Sequence, residues 1–164
     1  MFRSLYSKLA AVLTGLFCLV GLAIIVVTMF STDMYQKEVN QRLNSKLADH
    51  IVAERLLMQD NRVNQKALED IFHMLMVINP SIEIYLLDTE GTILAFSAAP
   101  DRVKRKRVDL GPVINLLEGH ATIPVSGDDP RSLGGKKVFT VARIPEQGEL
   151  QGYLYVILGG ETYD

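Results

Sequence analysis

The chain carries one cysteine, Cys18, no tryptophan, three histidines and a formal net charge of only -2. Each scarcity excludes something. One cysteine forms no intrachain disulfide and supplies neither a paired-cysteine metal motif nor a redox dithiol. A net charge this small gives no global pull toward nucleic acid or an anionic membrane, so any electrostatic role has to be local. No G-x-S-x-G, P-loop, G-x-G-x-x-G or H-E-x-x-H occurs, and His50, His73 and His120 are scattered, so spacing offers no nucleophile with its base. No catalytic residue, cofactor or metal site is assigned. Glu69 and His73 sit one helical turn apart but lack a third ligand. Asp128-Asp129 before Pro130 reads as turn chemistry, because adjacent residues of an extended chain point opposite ways.

Charge is also missing from one long stretch, Leu9 to Thr32, LAAVLTGLFCLVGLAIIVVTMFST. At about 1.5 Å per residue its apolar part, Leu9 to Phe30, is about 33 Å of helix, matching a hydrocarbon core of about 30 Å. Residues 9–32 therefore read as a transmembrane helix after a short N-terminus, 1–8. A cleaved signal peptide is the competing reading. Its apolar region runs only about 7 to 15 residues and ends in small residues, whereas this one ends in Thr28, Met29, Phe30 and Ser31. Arg3 and Lys8 precede the span, and Asp33, Lys37 and Glu38 follow it with mixed sign. The positive-inside bias then places the N-terminus in the cytoplasm and residues 33–164 outside, in the periplasm of a bacterial cell. Gly15 and Gly21 are not at the spacing of a GxxxG dimer face, and Cys18 in mid-span reads as a small apolar residue.

The remaining residues, about 130, suffice for one compact domain. From Asp33 to about Asp60 there is no glycine or proline, and Tyr35, Val39, Leu43, Leu47 and Ile51 recur every four residues. This is a helix whose apolar face spirals, extended by Ala48, Val52 and Leu56, able to cover a sheet at one end and a partner helix at the other. Nothing breaks helicity between Phe30 and Met34, so the membrane helix is expected to run on into it. Asn61 to Gln65 marks a break. Ala67, Leu68, Ile71, Phe72, Leu75 and Ile78 give a second amphipathic helix, stopped at Asn79-Pro80.

Ile82 to Ser97, IEIYLLDTEGTILAFS, is a β-hairpin closed at Asp88-Thr89-Glu90-Gly91, with Gly91 in the left-handed conformation. Its first strand has apolar residues at both alternations, Ile82, Ile84 and Leu86 against Glu83, Tyr85 and Leu87, which places it centrally and buries both sides. Asp109 then caps a short helix through Leu117, with Pro112 in the first turn and Gly119 past the end. Strands are expected at Ala121–Val125, Lys137–Ile144 and Leu150–Leu158, the last two joined by the turn PEQGE. The fold class is α+β, with a five-stranded antiparallel sheet, the long helices on one face and the short helix on the other.

Between hairpin and short helix lies DRVKRKRVD. Its bland reading is a solvated loop; its functional reading is a mouth for a small anionic ligand or a contact to anionic headgroups. The candidate ligand-binding residues are Arg102, Lys104, Arg105, Lys106 and Arg107, with Arg131 and Lys137 from the facing hairpin. Nucleic acid is not expected, since no aromatic residues interleave for base stacking.

The span, the long helix, IEIYLLDTEGTILAFSAAPDRVKR, a short helix ending LLEGH and a closing strand LQGYLYVILGG together resemble the N-terminal sensor region of a bacterial two-component histidine kinase. The extracytoplasmic domain would be PAS-like, of the single Cache type. Citrate and dicarboxylate sensors carry Arg and Ser-His-Pro after the equivalent hairpin. Here Phe96-Ser97-Ala98-Ala99-Pro100 lacks the Arg and the His, so the resemblance does not carry over their specificity. It implies a homodimer in the inner membrane and a parent that is an ATP-dependent protein-histidine kinase. A second span, a HAMP linker and kinase domains would follow in such a parent. None follows Asp164, so the resemblance implies a fragment or a truncated product that senses and does not transfer phosphate. The rival readings are the sensor of a chemoreceptor or of a diguanylate cyclase, or a tethered structural or adaptor protein without a ligand.

Overall fold

The computed structural model describes residues 5–54, 57–59, 62–78, 81–98, 101–146 and 149–159. Arg3, Leu56, the Asn79-Pro80 stop, Ala99-Pro100 and the Gln147-Gly148 turn lie outside them. The chain divides into two compact units, Met1–Lys37 and Glu38–Asp164. One helix, α1 (Leu5–Glu54), begins in the first and ends in the second, unbroken at residues 30–34 as expected from the lack of proline or glycine there. In the first unit its large apolar side chains, Leu13, Phe17, Leu22 and Phe30 among them, are exposed. By length and composition this helix is long and apolar enough to span a membrane or to be a signal sequence.

In the second unit α1 stops sooner than its periodicity suggests. The helix was expected to reach Asp60; instead Leu57 has left it, and β1 (Met58–Gln59) pairs antiparallel with β2 (Arg62–Val63). Leu57 and Met58 are buried in the same cluster as Ala48 and Ile51. A helix continued to Met58 would carry it about 15 Å along the axis past Ala48, away from that cluster. Asn64 then accepts from the Leu68 amide on its carbonyl and from the Ala67 amide on Oδ1, capping α2 (Gln65–Ile78).

The rest is a curled five-stranded antiparallel sheet. Its strands are β3 (Ile82–Asp88), β4 (Ile93–Phe96), β5 (Ser126–Asp128), β6 (Lys136–Glu146) and β7 (Glu149–Leu158), in the order β4-β3-β7-β6-β5. The predicted hairpin is β3-β4. Asp88 Oδ1 accepts from the amides of Glu90 and Thr92, both at 2.8 Å, and Gly91 sits at φ +86°, where a Cβ would come 2.4 Å from the Val108 carbonyl oxygen. The register slips between Leu86 and Leu87, the bulge that such a turn brings.

The central strand is buried on both sides, as its double apolar alternation requires. Ile84 and Leu86 join Leu154, Val156, Ala142 and Ile144 against Ala48 and Ile51 of α1 and Leu68 and Ile71 of α2. Tyr85 and Leu87 join Phe139, Val141, Tyr155 and Ile157 on the opposite face, under Val113 of α3 (Leu110–Leu117). The two long helices thus cover one face and α3 the other. Asp109 caps α3 by accepting from the Gly111 amide at 3.0 Å, and Gly119 takes φ +72° just beyond it.

One strand is displaced from its expected place. Ala121–Val125 is not a strand; the ladder forms at Ser126–Asp128, just before the turn at Asp129-Pro130. Pro124 has no amide to donate, and both backbone groups of Val125 are taken by a side chain from α1. Gly127 fits the ladder because a Cβ there would meet Tyr155 Oη at 2.5 Å and the Phe139 ring at 2.8 Å.

Candidate functional site

The basic segment runs over the face that α3 covers. Its backbone is tied on both sides: the Ile93 amide donates to the Lys106 carbonyl, and the amides of Lys104 and Arg105 both donate to the Pro130 carbonyl. Strand β4 and the loop at Pro130 thus hold the segment's backbone, which bends at Lys106, and its side chains divide between solvent and the interior. Arg102, Lys104, Lys106 and Arg107 are exposed. Arg102 lies 4.0 Å from Asp101, and Arg107 donates to the Glu90 carbonyl at 2.8 Å.

Arg105 turns inward. Its Nη1 donates to Asp128 Oδ2 at 2.9 Å, its Nε to the Ser132 carbonyl at 2.7 Å and its Nη2 to the Leu133 carbonyl. Asp128 Oδ2 also accepts from the Asp109 amide at 3.1 Å, so one carboxylate ties the basic segment, the α3 cap and the β5-β6 loop together. Asp129 has other partners. It accepts from the Arg131 amide and lies 3.7 Å from Lys137 Nζ. The two aspartates thus meet different partners, Arg105 and Lys137.

Arg131 reaches deeper, to the Glu83 carboxylate on central strand β3, where the two side chains are 17% and 6% exposed. The second Glu83 oxygen accepts from Tyr85 Oη at 2.6 Å. Burial, then the hydrogen bond to Glu83 and its negative charge, push the Tyr85 phenol far above its ordinary range. Burial followed by the charges of Asp128 and Asp129 does the same to Tyr155, which donates to the Asp128 carbonyl at 3.0 Å. Both phenols are fixed donors at physiological pH. Chemically this is a polar seam of carboxylates already met by guanidinium, ammonium and phenol groups.

Arg105 and Arg131, with Lys137 near Asp129, are thus gathered by the β5-β6 loop, while the four exposed cations stay on the outer side of the segment. The space under α3 is filled by Tyr85, Phe139, Val113 and Tyr155, the Phe139 and Tyr155 rings stacked 4.7 Å apart. Among the described residues no three His, Cys, Asp or Glu side chains gather as a metal site.

A residue that sequence reading passed over is Gln41. It lies fully buried on α1, its Nε2 donating to the carbonyls of Phe139 at 2.6 Å and Val125 at 3.1 Å, its Oε1 accepting from the Val125 amide at 2.8 Å. One side chain replaces the strand that β6 lacks beyond Val138. A polar residue among Val39, Leu43 and Leu47 gave no local sign of this, because its partners are 84 and 98 residues away. No protein-family model matches the sequence, and no curated protein matches it.

Proposed function

We propose that this chain is the membrane-anchored, extracytoplasmic sensory region of a bacterial two-component histidine kinase, a homodimer in the inner membrane. In this reading residues 9–32 are a retained span, the N-terminus is cytoplasmic and residues 33–164 form a PAS-like periplasmic domain. The observation that carries it is α1. The same helix contains the apolar run and Gln41, whose amide is bonded to the sheet edge at Val125 and Phe139. A change at that edge acts on the helix that enters the bilayer, and a helix transmits axial or rotational displacement with little loss. Met34 and Tyr35, exposed on α1, offer apolar surface for the second copy. An anionic partner would meet the exposed Arg102, Lys104, Lys106 and Arg107, while Arg105 and Arg131, already paired, hold the loop that presents them.

The test joins residues 1–159 to the second span and output domains of a histidine kinase with a transcriptional reporter. Gln41→Ala shifts basal output, and a Gly-Pro insertion after Ser31 removes the shift while the protein still reaches the membrane. If Gln41→Ala leaves output unchanged, or its effect survives the insertion, the helix is not the transmitter.

A further inference from the structure

A cleft opens where the sheet runs out at β6. The second half of α1 lies over one face of the sheet and α3 over the other, and beside β6 they leave a cleft of about 700 Å³ between them, all within the unit Glu38–Asp164. Clefts that hold small organic ligands run from about 300 to 1,000 Å³. Leu43 of α1, Leu116 and Leu117 of α3, and Ile123 give this one apolar walls. Its rim has no net field: Arg42 is paired with Glu38 at 2.9 Å, and Asp49 stands one turn from Lys46.

The floor is a strand edge. β5 pairs only with Lys136–Val138, and Gln41 then takes the Phe139 carbonyl. Backbone groups of alternate residues point to the same side of a strand, so the next amide and carbonyl on that side belong to Val141, which is buried and lines the cleft. Among the described residues neither group meets a partner there. Buried backbone groups are nearly always paired. An amide and a carbonyl side by side at an open edge call for a group that offers an acceptor and a donor at strand spacing, and an extended peptide residue is such a group.

We infer that this cleft binds a short, uncharged extended peptide, one residue of which adds to the β6 edge at Val141. That residue donates its N–H to the Val141 carbonyl and accepts from the Val141 amide. In an antiparallel pair of this kind its side chain lies on the same face as that of Val141, toward Leu116 and Leu117, and is therefore apolar. A charged terminus beside it would lose water and meet no opposing field at the balanced rim. The inference stands on the cleft alone and does not rest on the signalling reading.

The experiment uses the full chain in lipid nanodiscs, with empty nanodiscs as blank and N-acetyl-para-fluorophenylalanine N-methylamide as probe. One analogue is methylated on the phenylalanine nitrogen, which removes the donor to Val141; the other is the free acid, which adds a charge. Fluorine NMR line broadening beyond the blank is expected for the probe. The methylated analogue binds about five- to tenfold more weakly, the worth of one net hydrogen bond, and the acid is weaker too. Hydrogen exchange at the Val141 amide slows with the probe, a measurement that needs no variant. Ser45→Trp fills the cleft from α1, where the serine bonds the Arg42 carbonyl, and removes the broadening at an unchanged melting temperature. A sharp probe line with the wild-type chain, equal affinity of the probe and either analogue, unaltered exchange at Val141, or broadening that survives Ser45→Trp would each overturn the assignment.

Discussion

At Arg131 a guanidinium that is only 17% exposed faces a carboxylate, Glu83, that is 6% exposed. Removing one partner strands the other charge away from water, at a cost of about 3–5 kcal/mol, whereas replacing both with apolar groups of similar volume is close to neutral. Arg131→Met is therefore expected to lower the unfolding free energy by about that amount, and Arg131→Met with Glu83→Leu to recover most of it. Thermal melts of the two variants check this; a double variant as unstable as the single one would mean that the pair is not the cause. Asp88 gives a pH dependence of defined sign. Burial favours its neutral form, but the Thr92 and Glu90 amides, the Thr92 hydroxyl and the Arg107 charge outweigh that and lower its pKa. The folded chain holds this proton less readily than the unfolded one. The stabilisation is complete above the ordinary carboxylate range and is lost as pH falls through the folded-state value. Asp88→Asn should melt below wild type at neutral pH, with the gap closing under acid; a gap constant with pH would remove the carboxylate from the account.

At the scale of elements, what was legible in the sequence was local. The unbroken α1 follows from an absence of breakers, the β3-β4 turn from Asp88 and Gly91, and α3 from Asp109, Pro112 and Gly119, each a signal contained within a few residues. Where the reading failed, the cause is a distant partner. The expected strand at Ala121–Val125 gives way to Ser126–Asp128 because Gln41 occupies the backbone of Val125, and α1 ends early because Leu57 and Met58 return to the Ala48 cluster. The same holds at the basic segment: Arg105 and Lys106 are adjacent and alike in composition, yet one faces Asp128 and the other solvent. If Gln41 replaces a strand, Gln41→Ala leaves three backbone groups without it, and the loss is about 1–3 kcal/mol for each one that stays buried and unpaired. Hydrogen exchange should then quicken first at Val125 and along β6, ahead of β3 and β7; uniform acceleration over the whole sheet would argue against an edge role.

On the scale of the whole molecule, the apolar run and Gln41, which bonds the sheet edge, lie on one helix, α1, and the proposed function depends on where the sheet lies. The direct measurement is single-cysteine labelling in a Cys18→Ala chain carrying Lys106→Cys, exposed on the basic segment. Spheroplasts are treated with a membrane-impermeant maleimide before and after lysis. The account predicts full labelling of position 106 in intact spheroplasts, with no gain on lysis. Labelling that appears only after lysis would place the sheet in the cytoplasm and contradict it.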